Sequence, residues 1–207
     1  MKKFISLLLA VVMLFLLVGC NSNPKPDDPK KAELSRGKID GDVYSNEFLG
    51  FKFTKPQSWV YSTDEEIAAA VNMGTEMFLG ENFKEALDKS GSMYDMMVID
   101  TLTRSNINVG YENLTKTFSS NITVEQYIEA LKQQLSSVSG MKVSFPNKYD
   151  TVKLGETEFT RVVCSTTSYG TSFTQVFYLN KVDNYMGFVI ATIQKGYTVS
   201  DIEALFE

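Results

Sequence analysis

The chain has 207 residues and no histidine. That absence removes Ser-His-Asp and Cys-His nucleophile arrangements, imidazole metal ligands, and the commonest general base near neutral pH. Cysteine is nearly as scarce, with only Cys20 and Cys164. The two could pair, but Cys20 stands at the head of a polar, proline-bearing tail, a poor place for a structural bridge. Arginine occurs three times, at Arg36, Arg104 and Arg161, and the formal net charge is −5. Phosphate binding needs clustered cations, so nucleic acid is not an expected partner. The same charge balance argues against a polybasic grip on anionic lipid. There is no phosphate-cradling glycine loop and no EF-hand pattern, so no cofactor and no metal ligand set is expected.

One long apolar run is present. Lys2 and Lys3 precede residues 4–18, which only Ser6 interrupts. The run is short for a membrane-spanning helix, which needs roughly 20 apolar residues, and fits a secretory signal. It ends at Leu17-Val18-Gly19-Cys20, which resembles the bacterial lipobox. The resemblance implies a signal peptide over residues 1–19, cleavage before Cys20, and acylation of the Cys20 thiol. The protein is then expected to be held on the extracytoplasmic face of the cell membrane by its lipid. An ordinary signal peptide or an uncleaved anchor is the alternative. Cys164, in "FTRVVCSTT", reads as a small buried hydrophobe, since no histidine is present to activate it.

Three of the five prolines fall between Cys20 and Asp42, among charges of both signs. Such a composition buries little surface, so residues 20–42 read as the lipidated cysteine and a flexible tether. As a coil it reaches on the order of 25 Å. A single domain is expected over 43–207.

Within that domain, Val43-Tyr44 and residues 51–53 read as strands around Gly50, and Pro56 ends the second. Trp59 reads as packing over the core edge. Thr63 and Glu66 form a capping box before Ile67, Ala70 and Val71. Phe83, Ala86 and Leu87 mark a second helix, ending at Gly91. Met73, Met77, Met93, Met96 and Met97 suggest core filling or an adaptable pocket. "MYDMMVIDTLTR" and "NINVGYENLTKTF" read as strands with apolar residues on both parities, hence covered on both faces. Asp100 reads as a strand-end carboxylate in a local hydrogen bond. Thr123 and Gln126 cap the clearest helix, whose stripe is Val124, Tyr127, Ile128, Leu131, Leu135 and Val138, ending at Gly140. "MKVSF" follows, then three long β-branched and aromatic runs with turn-like gaps, which read as an antiparallel meander. Ser200 reads as the cap of a last helix carrying Ile202, Leu205 and Phe206.

Hairpin strands with intervening helices predict an α+β domain, an antiparallel sheet with helices packed on its faces. The stretch "FLGFKFTKPQSW" (Gly50, Phe51, Phe53, Pro56, Trp59), the helix "VEQYIEALKQQL" and the "LGETEF" opening at Leu154-Gly155 resemble the PsbP and Mog1-like α/β/α sandwich. The resemblance implies an accessory or partner-binding module and carries no catalytic residue. The expected function is a membrane-anchored, non-catalytic module that binds a protein or small ligand. The alternatives are an envelope hydrolase using paired carboxylates, or an assembly or stress factor for a membrane complex.

Overall fold

A computed structural model describes residues 33–71 and 83–207. Cys20, the apolar run before it, most of the expected tether, Met73 and Met77 lie outside the described residues.

The fold is α+β, as expected, with two antiparallel sheets and helices. A small sheet holds β1 (Lys38–Asp40), β2 (Val43–Asn46) and β3 (Phe51–Thr54) in that order. The large sheet has eight strands: β4 (Trp59–Tyr61), β5 (Ser92–Asp100), β6 (Asn106–Asn113), β7 (Met141–Ser144), β8 (Asp150–Leu154), β9 (Thr157–Ser168), β10 (Thr171–Val182) and β11 (Tyr185–Ile193). Their spatial order is β4-β5-β6-β11-β10-β9-β7, and β8 shares the outer edge of β9. The helices are α1 (Asp64–Val71), α2 (Phe83–Ser90), α3 (Leu114–Thr117), α4 (Val124–Ser136) and α5 (Val199–Glu203).

Residues opposite one another in an antiparallel ladder share a face. One row across the sheet runs Val98, Ile107, Ala191, Val176 and Val163. The small sheet covers this first face: Phe48 meets Tyr111, and the rings of Phe53 and Trp59 lie 6.4 Å apart. The chain end joins the same layer, because Glu207 exchanges backbone hydrogen bonds with Lys52. The second face carries the row Met97, Asn108, Ile190, Phe177 and Val162. Helix α4 covers part of it with Tyr127, Ile128, Leu131 and Leu135, all buried. Both faces of the central strands are therefore apolar, which is why "TSFTQVFYLN" reads as a run without alternation.

Several local readings are corrected by the structure. The domain does not begin at Val43: β1 and Arg36 lie inside the stretch read as tether, because their partners are contributed by β2 and β5. Leu114–Thr117 is a helical turn, not strand, since the Asn113 side chain accepts from the Thr115 N–H and caps it. "TVKLGETEF" is a hairpin, with Gly155 in the left-handed region (φ 61°) permitting the tight turn between β8 and β9. The last helix is capped by Thr198, which pairs with Asp201 in a capping box, and not by Ser200. Leu102, inside the run "MYDMMVIDTLTR" read as a strand, is 80% exposed in the turn after β5.

Candidate functional site

Three polar side chains interrupt the middle of apolar runs in the large sheet, and the structure buries each of them. They are Asp95 in "MYDMM", Glu112 in "GYENL" and Gln175 in "FTQVF".

Asp95 sits at a β-bulge, where the β5–β6 register shifts between Tyr94 and Met96. The extra residue turns its carboxylate toward the first face. There it accepts from Arg36 Nε (3.2 Å), the Gly37 N–H (2.8 Å) and Tyr44 Oη (2.5 Å). Asn46 Nδ2 donates to Tyr44 Oη and Tyr111 Oη, while Asn46 Oδ1 accepts from the Leu49 N–H. Arg36 also donates to both oxygens of Asp64 on α1. Burial raises the Asp95 carboxyl above its ordinary range, and hydrogen bonds from Tyr44 and Gly37 and the Arg36 charge oppose that rise. The Asp95 carboxylate is surrounded by donors, so this cluster is a polar stitch between the small sheet, α1 and β5.

Glu112 lies on the second face, 3% exposed, and accepts from Tyr127 Oη of α4 at 2.5 Å. Burial pushes its carboxyl up; bonds from Tyr127 and Thr117 pull against it. The Tyr127 hydroxyl is in turn pushed well above its usual value, by burial and by the Glu112 charge.

Gln175 belongs to a cleft beside α4. Tyr127, Leu131 and Leu135 form its roof, Met141 one end, and Tyr94, Phe177, Phe188 and Ile190 much of its floor. The space inside it that the centre of a water-sized sphere can reach is about 30 Å³. Gln175 is 6% exposed, and its Oε1 has no hydrogen-bond partner. Directly across the β10–β11 ladder stands Thr192, 1% exposed, whose Oγ1 also has none. Thr166 Oγ1, on the neighbouring β9, is the third such atom. Of the three, Gln175 alone lines the cleft; buried polar atoms are normally paired, so its unpaired oxygen marks a place suited to meet a donor from a ligand.

The residues that the sequence marks as candidates fall elsewhere. Cys20 lies outside the described residues. Cys164 is buried and free, and burial raises its thiol to about 12, so it is a core residue. Trp59 is a core residue too, its Nε1 donating to Tyr197 Oη at 2.9 Å. Asp100 accepts from Thr103 Oγ1 (2.6 Å) and from the Leu102 N–H, the local bonding expected of it. Gln175, Glu112 and Asp95 do not stand out in the sequence as site residues. Their common signal is a polar residue placed on an apolar strand.

The chain is similar to cyanobacterial PsbP. The solution structure of CyanoP from Synechocystis sp. PCC 6803 matches 87% of this chain and 97% of its own, at 10% identity and a TM-score of 0.47. A crystal structure from Bacteroides thetaiotaomicron VPI-5482 matches 76% of this chain and 44% of its own, at 15% identity and a TM-score of 0.37. No family model matches the chain. No curated protein matches it either.

Proposed function

We propose that this protein is a lipid-anchored, extracytoplasmic binding module that engages its ligand in the cleft beside α4 and performs no chemistry on it. The observation that carries the binding role is the unpaired, buried Gln175 Oε1 among apolar lining residues. The anchor rests on the Lys2-Lys3 pair, the apolar residues 4–18 and the Leu17-Val18-Gly19-Cys20 pattern of the sequence. Two or three acyl chains hold such a module stably, at about 0.8 kcal/mol for each buried CH₂.

The carboxylate-hydrolase alternative needs two acids flanking one bond, roughly 5–10 Å apart. Asp95 and Glu112 do not flank a common space. Asp95 faces the small sheet and Glu112 faces α4, and each already accepts a tyrosine hydroxyl. Asp100, also buried, is taken up by the turn that follows β5. An assembly role for a membrane complex remains compatible with the same cleft.

Two measurements test the reading. Cys20→Ala should abolish acylation, seen as a mass loss, and release the protein from the membrane fraction; retention with unchanged mass would refute the anchor. For the cleft, a fragment screen of the detergent-solubilised full chain by NMR should shift Leu131, Gln175 and Ile190 together. Ile190→Trp, which fills the floor, should remove those shifts. A screen that perturbs no cleft residue counts against the binding role.

A further inference from the structure

We infer that the cleft takes an uncharged, thin, mainly apolar ligand whose one polar end donates a hydrogen bond to Gln175. The inference rests on the binding role just proposed and concerns the chemistry of the ligand.

Charge is decided by what lines the cleft. Its lining residues are apolar side chains, tyrosines, Asn108 and Gln175, with no lysine or arginine among them. An anionic head group entering here would lose its hydration and meet no cation, which is costly in an apolar site. The acid bonded to the lining is Glu112, through Tyr127 Oη, and a second negative charge near it is disfavoured again. A cationic end is disfavoured for a different reason: Glu112 is 3% exposed and already accepts from Tyr127 and Thr117.

The polar end is decided by Gln175, the lining residue with an unpaired oxygen. An amide oxygen only accepts, so the unpaired Oε1 calls for an N–H or O–H on the ligand. Thr192, opposite Gln175 across the ladder, is not a lining residue; its unpaired Oγ1 can accept from or donate to a group that reaches past Gln175. The body is decided by Leu131 and Leu135 above and Phe177, Phe188 and Ile190 below. The narrow space that a water-sized sphere can reach between these layers favours an unbranched chain over a fused ring.

The test uses four matched probes on the detergent-solubilised full chain: hexanamide, hexan-1-ol, hexanoate and hexylammonium. Titration by NMR should give hexanamide and hexanol dissociation constants about tenfold below those of the two ions, with shifts centred on Gln175 and Thr192. Gln175→Leu keeps the volume and removes the unpaired oxygen, so it should fold at least as well and lose about tenfold for hexanamide. Thr192→Val serves as the second variant and should weaken hexanamide binding less than Gln175→Leu does. Equal binding of all four, or preference for an ion, overturns this ligand class while leaving the cleft a binding site. Binding of none of them overturns it as well. The fragment screen then separates the two readings: hits in the cleft keep the binding role, and no hits remove it. An ordered water bridging Gln175 and Thr192 that no probe displaces would also overturn the inference.

Discussion

At the scale of single residues, the sheet is marked by polar side chains in apolar strands, and their environments differ. Asp95 is enclosed by donors; Gln175 Oε1 has none. Glu112 lies between these extremes, with a tyrosine hydroxyl and a carboxyl raised by burial. That rise has a signed consequence. A carboxyl whose folded-state value exceeds its unfolded one holds its proton more tightly when folded. Its stabilising share is complete below the ordinary glutamate value of 4.5 and is lost as pH rises through the raised folded value. Glu112→Gln keeps an acceptor for Tyr127 and removes the charge. Urea unfolding should show this variant gaining stability on the native protein at about pH 7, with the gain shrinking toward about pH 4. An equal difference at both values would mean that Glu112 is not the titrating group.

At the scale of elements, α4 is the part whose position matters most, because it roofs the cleft. Its start is set by a full capping box: Thr123 Oγ1 accepts from the Gln126 N–H, and Gln126 Oε1 accepts from the Thr123 N–H. Thr123→Ala should cost about 1 kcal/mol in denaturant unfolding and raise amide exchange over the first turn, which includes Tyr127. This helix is legible in the sequence because cap, stripe and stop agree over one continuous segment. Hairpins are legible for the same reason, as the β9–β10–β11 meander shows. The bulge at Asp95 is not. Met93 and Met96 have opposite parity in the sequence yet share the first face, because one extra residue between them shifts the register. Only pairing with Tyr111 and Val109 of β6 reveals that shift. The strand reading of Leu114–Thr117 fails similarly, since Asn113 reads as an ordinary strand end until its side chain is seen to cap.

At the scale of the whole molecule, the domain reaches further toward its N-terminus than composition indicates. Lys38–Asp40 pairs with β2, and Arg36 ties Asp95 to Asp64. A chain starting at Val43 would therefore leave the buried Asp95 carboxyl without Arg36 and the Gly37 N–H. Breaking a buried pair from one side costs on the order of 3 kcal/mol. We expect that chain to unfold at markedly lower denaturant than one starting at Glu33, by circular dichroism. Equal midpoints would place β1 outside the cooperative unit. The described residues contain no helix long and apolar enough to cross a membrane.

The sequence by itself determined the α+β class, the long helix with its cap and stripe, and the hairpin order, because each depends on residues close together along the chain. It also carries the Leu17-Val18-Gly19-Cys20 pattern, a linear motif whose resemblance to a lipobox does not depend on the fold. Tertiary structure alone decided which polar side chains are stitched and which are left open. That outcome depends on what the opposite layer presents: Arg36 and Tyr44 over Asp95, Tyr127 over Glu112, and an apolar helix face beside Gln175. Residues distant in sequence meet there, and no local pattern encodes which of them will bring a donor.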